Sequence, residues 1–145
     1  MVNTHAATVL FSQPPDVVFP YLADPRRRPE WQSSLKAIEM RDQGEPRVGM
    51  RWQDVTGPGL RPEMEITQLV PYRIWAETGS WRGVTAHLTL RFTAVGAGTR
   101  VDAEVEIIAE GLWRAVSAVV RRLAPAALAH DLEKANEVLS QRRTG

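Results

Sequence analysis

The stretch VTAHLTLRFTAVGAGTRVDAEVEII, Val84 to Ile108, decides the fold. VTAHLTLRFTAV is the longest strand candidate in the chain, and GAGTR turns it into RVDAEVEII. The glycines supply the positive φ that a tight turn needs, so the two runs read as an antiparallel hairpin. Val101, Ala103, Val105 and Ile107 alternate with Arg100, Asp102, Glu104 and Glu106. That period of two gives one buried face and one wet face. In the partner run, Leu88, Leu90 and Phe92 share the core face, while His87, Thr89 and Arg91 share the other.

Working back from the hairpin, the same period continues to Leu35. LKAIEM, MRWQDVT, EMEITQLV and RIWAETG are four further strands, separated by DQGEPRVG, GPGLRP and a proline at 71. Thr8 to Phe11 is a short first strand. Pro14 and Pro15 suit a helix's first turn, with Asp16 at its positive end. Pro20 removes a donor, so one or two short helical turns are expected there rather than one regular helix. A second short helix spans Pro25 to Trp31. After Gly111 the period becomes helical. Leu112, Val116, Val119, Leu123, Leu132, Ala135 and Leu139 fall on one stripe, with a kink or break expected near Ala124 because of Pro125. The fold class is α+β, with helices against one face of a curved antiparallel sheet.

Composition narrows the function classes. A chain of 145 residues, 43% apolar and 24% charged, is ordinary for one domain, read here as residues 1–145. A net charge of +1 gives no field that demands nucleic acid or an anionic membrane. The chain lacks cysteine, which removes disulfides, thiolate metal sites and a cysteine nucleophile. No signal peptide or membrane-length apolar run is visible, so a cytoplasmic protein without integral membrane association is expected. There is no phosphate-binding glycine loop, dinucleotide fingerprint or Gly-x-Ser-x-Gly elbow. His5, His87 and His130 share no ligand spacing, so no metal and no cofactor is expected.

QPPDVVFPYLADPRRRPEW resembles the opening of START-like (SRPBCC) proteins of the polyketide cyclase/dehydrase type. VGMRW, ITQLVPYRIW, LTLRFTAVGAGTRVDAEVE and the long terminal helix follow in that family's order, over about residues 6 to 141. The resemblance implies a helix-grip fold. Two short helices follow strand 1, and a seven-stranded curved antiparallel sheet surrounds a long C-terminal helix, with a cavity between them. A fold of this kind identifies a pocket and not a chemistry.

Candidate residues follow from the strand faces. In GMRWQDV, Met50, Trp52 and Asp54 share an apolar face, which would give Asp54 a raised pKa suited to a general base. The competing reading, which is favoured, ends the strand there and lets Asp54 open a turn. His87 is the second candidate catalytic group, although parity directs it outward unless a bulge intervenes. Trp52, Trp75, Trp81 and Trp113 are many flat rings for a small domain and suit a planar ligand. Trp81, in GSWRG, is expected in a turn at the pocket entrance or in an interface. The resemblance places Trp31 at the cavity mouth. The expected ligand lining is Trp31, Trp52, Met64, Ile66, Trp81, Val116 and Val120. Arg26, Arg27 and Arg28 are consecutive and cannot all point one way. They are read as a solvated helix surface, with one of them reaching an anionic ligand group as the alternative.

The partner expected is a small hydrophobic, cyclic or polyketide-like ligand, handled by a polyketide cyclase or aromatase. A non-catalytic carrier or sensor of lipid or aromatic compounds competes with this, as does a homodimeric interaction module with a nearly closed pocket. A cavity containing Asp54 or a histidine favours the enzyme. A uniformly apolar cavity favours the carrier, and one too small for a drug-sized ligand favours the module.

Overall fold

The computed structural model describes residues 4–144, with side chains described for residues 5–115 and 122–142. Seven strands form one antiparallel sheet: β1 (Thr4–Phe11), β2 (Leu35–Met40), β3 (Arg51–Thr56), β4 (Glu63–Val70), β5 (Ile74–Trp81), β6 (Val84–Val95) and β7 (Gly98–Ala109). The spatial order is β1-β7-β6-β5-β4-β3-β2. Every neighbour after β1 is therefore a sequence neighbour. The first strand closes the far edge by pairing with the last. The central hairpin is in register from Val84↔Ala109 to Val95↔Gly98. Gly96 holds the turn at φ 57, where a side chain would be strained. This is the hairpin expected from the alternation, with β7 starting two residues earlier.

A β-bulge interrupts β4 between Ile66 and Gln68. The extra residue reverses the parity of the strand. Ile66 is fully buried, and three residues later Leu69 again packs against the core.

Helix α1 (Pro15–Ala23) is a single nine-residue α-helix with Pro20 inside it, so the expectation of irregular turns is corrected. Pro20 is solvent-exposed, where water can satisfy the carbonyl it leaves unpaired. Val18, Phe19, Tyr21, Leu22 and Ala23 anchor the helix on its other side. A 3-10 helix, Pro25–Glu30, follows. Asp24 caps it by accepting a hydrogen bond from the Arg26 amide at 3.0 Å.

The terminal helix α2 (Trp113–Thr144) has 32 residues, a length of about 48 Å. It runs through Pro125 without the break expected near Ala124. Leu132, Ala135 and Leu139 are buried against the sheet, but Leu123 is 63% exposed and Leu112 is 94% exposed. The correction follows from helical phase. Leu123 precedes Leu132 by nine residues, which at about 100° each places it on the opposite side. The expected stripe joined two faces. At the far end of α2, Asn136 Oδ1 accepts from the Ser12 amide at 3.1 Å, and the Ser12 and Ser140 hydroxyls are 2.8 Å apart. These bonds tie the helix to the end of β1. Among the described residues, no helix is long and apolar enough to cross a membrane.

Leu132 is fully buried beneath the sheet. Leu132→Ala is expected to destabilise the fold by about 2 to 5 kcal/mol in denaturant unfolding, whereas Leu123→Ala should change it by less than about 0.5 kcal/mol.

Candidate functional site

Inward positions of five strands form a cavity beneath α2. The register carries one inward row from Trp52 through Met64, Gly79 and Ala86 to Ile107. A second row runs Ile66, Glu77, Leu88, Val105. Between these rows and Ala124 and Leu128 of the helix lies a space of about 300 Å³. Its wall is mostly apolar: Met64, Trp81, Val84, Ala86, Leu88, Val105 and Ile107. Gly79 is part of that wall, and a Cβ there would lie 2.7 Å from Met64 Sδ. Its bare backbone is what lets the Met64 side chain lie across β5.

Gln32, Asp54 and Glu77 form a polar corner in the same wall. Asp54 is 4% exposed and Glu77 is 6% exposed. Glu77 is joined to Arg28 by a buried salt bridge from Nη2 to Oε1, with Arg28 Nη1 3.4 Å from Oε2. Arg28 Nη1 also donates to Gln32 Oε1 at 2.9 Å. The guanidinium lies over two indole faces, 5.1 Å from the ring centre of Trp31 and 5.2 Å from that of Trp75. Burial alone would favour the neutral arginine, but the charge and hydrogen bond of Glu77 outweigh it and hold Arg28 charged. Across from this pair, Asp131 on α2 accepts from the Ser33 hydroxyl at 2.9 Å and the Ser33 amide at 3.2 Å.

Asp54 has a weaker set of partners. Trp52 Nε1 donates to its Oδ1 at 2.9 Å. Burial, and then the negative charge of Glu77, push its carboxyl up to about 6, against the smaller opposite pull of Arg28 and the Trp52 bond. The corner therefore holds two carboxylates of different character. Glu77 is neutralised by a bonded cation, and Asp54 titrates close to neutrality.

The structure sorts the expected residues into three groups. Asp54, Met64 and Trp81 come together in the cavity wall. Asp54 does not open a turn, since β3 continues to Thr56. Trp81 ends β5 instead of standing in the turn, and its ring meets Trp113 edge-on at 5.2 Å. Trp31, Trp52 and Ile66 lie in the closed core and not in the lining, which corrects the expected set. His87 touches the cavity's edge, yet it pairs across strands with Thr78 and Glu106 on the outer face. Its Nδ1 is hydrogen-bonded to Thr78 Oγ1 at 2.8 Å. The side chains of Val116 and Val120 lie outside the described residues. Arg28, read as part of a solvated surface, is 2% exposed and engaged by the protein's own glutamate. Glu77 is absent from the expected set. The sequence signal that points to it is its place in IWAETG, on the same face as Trp75.

Asp54 links the corner to stability. Its folded value lies above the ordinary 3.8, so its stabilising protonated form is fully present below 3.8 and is lost as the pH rises through about 6. Asp54→Asn keeps an oxygen for Trp52 and removes the charge. It is expected to stabilise the fold by about 1 to 3 kcal/mol at pH 8 and by much less at pH 4, in denaturant melts at the two values.

The comparisons agree with this architecture. The sequence matches no curated protein. The model of the family described as polyketide cyclase / dehydrase and lipid transport matches residues 4–142. Among solved structures, the di-domain ARO/CYC StfQ from the steffimycin biosynthetic pathway superposes with a TM-score of 0.78 at 14% identity. That alignment covers 99% of this chain and 52% of StfQ, so the chain spans about half of that protein. TTHA0849 from Thermus thermophilus superposes at 0.77 and 15% identity, covering 97% of this chain and 99% of its own. Ara h 8.0201 does so at 0.70 and 13%, covering 92% and 95%. Likeness at these identities establishes the helix-grip fold, and a family match running from the first described strand to the end of the terminal helix establishes more: this chain belongs to the polyketide cyclase / dehydrase and lipid transport family.

Proposed function

We propose that residues 1–145 act as one ligand-binding domain that holds a small hydrophobic, cyclic or polyketide-like molecule in the cavity. On this reading it works on that molecule as a polyketide cyclase or aromatase, with Asp54 as the acid–base group. The observation that carries the proposal is a buried carboxyl, titrating at about 6, in a cavity whose remaining wall is mostly apolar. A base poised near the working pH is what proton transfer from carbon needs. StfQ is described as an ARO/CYC, and the proposal extends that chemistry to this chain.

The steps balance without a cofactor. Ionised Asp54 removes a proton from the methylene between two carbonyls of a poly-β-ketone. The enolate carbon attacks a second carbonyl of the same chain, closing a ring, and the resulting alkoxide takes the proton back from Asp54. Loss of that hydroxyl as water, with a second proton removed and returned, gives the ring double bond. The apolar wall folds the chain so that the reacting carbons meet, and this positioning supplies most of the acceleration. Trp52 holds one oxygen of Asp54, leaving the other for substrate.

The polar corner speaks against a carrier of purely apolar molecules, whose wall would carry no titrating carboxyl. The volume of about 300 Å³ is at the small end of ligand pockets, which suits a short or already folded chain. With an authentic substrate, Asp54→Asn should lower turnover by roughly 10² to 10⁴ while ligand affinity stays within a few fold. Single-turnover kinetics beside calorimetric binding distinguish the two quantities, and unchanged turnover would remove Asp54 from the chemistry.

A further inference from the structure

The charges of the polar corner also bear on which ligands it admits. Arg28 is the buried cation beside the cavity: its charge is paired with Glu77 and both Nη atoms are engaged, while its buried Nε meets no acceptor among the described residues. Both oxygens of Glu77 and the amide oxygen of Gln32 receive its Nη atoms, and Trp31 and Trp75 stack on its faces. Among the described residues that line the cavity, a carboxylate would find no free cation. It would instead meet Glu77 and, above its titration, the charge of Asp54. A charge taken out of water without a partner is strongly disfavoured, and a like charge nearby adds to the penalty.

A neutral oxygen meets no such barrier. Trp52 occupies Oδ1 of Asp54, and the residue lines the cavity, so its other oxygen is the group offered to a ligand. Ionised, that oxygen accepts from a phenol. Protonated, it donates to a ketone. Among the described residues, the charged groups acting on Asp54 are Glu77 from β5 and Arg28 from the 3-10 helix, and Asp131 of α2 acts in turn on Arg28.

We propose that this cavity selects neutral ligands bearing a phenol or ketone oxygen and rejects carboxylates such as fatty acids and aromatic acids, because Arg28 is already engaged by Glu77. This rests on the cavity being the ligand site, and it adds the ligand's charge and its polar handle. It also speaks against Arg28 as the arginine that receives an anionic group.

The test uses two probes with the same ring system, 2-naphthol and 2-naphthoate, titrated calorimetrically into the full chain at pH 7.5. The naphthol is expected to bind at least about tenfold more tightly. Glu77→Gln frees the charge of Arg28 and should raise naphthoate affinity at least about tenfold, with the naphthol changing by less than about threefold. Where Glu77→Gln fails to fold, Asp54→Asn replaces it. That variant should improve naphthoate binding several-fold at pH 7.5, where Asp54 is ionised, and leave it unchanged at pH 5. Naphthoate binding as tightly as naphthol to the parent chain overturns the selectivity alone. Binding of neither probe overturns the cavity as ligand site and the selectivity with it.

Discussion

The salt bridge between Arg28 and Glu77 is the constraint on which the site is built. It joins the 3-10 helix to the middle of the sheet, 49 residues further along the chain. Both partners are nearly dry, at 2% and 6% exposed. Removing two ions from water costs several kcal/mol each, and the pair recovers this only with good geometry and further hydrogen bonds. Here the recovery comes from a two-point contact with Glu77, from Gln32, and from two indole faces that attract the cation through their π-electrons. The indole N–H groups of Trp31 and Trp75 meet no protein acceptor among the described residues. The rings are oriented for the guanidinium and not for their own hydrogen bonds.

That pair sets the character of its neighbour. Arg28 satisfies Glu77 and has little left for Asp54, which stands on the next inward row of the sheet but one. A single cation facing two carboxylates leaves one of them poorly compensated, and geometry decides which. Glu77 has the direct contact and Asp54 has only an indole N–H. A titration near 6 follows from burial first, and then from the charge of Glu77 that this division leaves only partly offset at Asp54. The sheet then exposes that carboxyl to a small apolar space, because Gly79 gives up its side chain so that Met64 can cross it.

The sequence makes the strands legible because each one carries its own alternation. β2, β4 and β6 have the expected limits, and β7 extends the expected run by two residues into its turn and by one at its other end. Periodicity is a local property and needs no partner to be read. The site depends on distant partners. Three consecutive arginines look solvated because the acids in their own segment, Asp24 and Glu30, are surface partners for Arg26 and Arg27 and not for Arg28. Glu77, the partner of Arg28, lies 49 residues further along the chain, beyond the reach of any local pattern around the arginines. Parity puts Asp54 on the face it shares with Trp52, but the end of its strand is not visible, because Thr56 precedes a glycine-rich turn that also fits an earlier stop. The terminal helix misleads in another way. Its apolar residues are numerous enough to fill a stripe, and a nine-residue offset between Leu123 and Leu132 turns that stripe through half a revolution.

Stability alone would not retain this corner. Well-packed apolar residues in place of a buried ion pair are commonly neutral or stabilising, and an undercompensated carboxyl beside them is a further penalty. The fold has ample apolar anchoring without it, in Leu22, Trp52, Ile66, Leu90, Val101 and Leu132, all at most 1% exposed. The ion pair can be assigned a structural part, since it fastens the 3-10 helix to β5. The Asp54 side chain fastens no other element among the described residues: its carboxylate bonds to Trp52 on its own strand, two residues away, and an uncharged side chain with an oxygen would keep that bond. A group that burdens the fold, holds no elements together and faces the cavity has its physical rationale in the ligand. On the proposed function, Asp54 carries the chemistry, and Glu77 and Arg28 act on it by setting its charge.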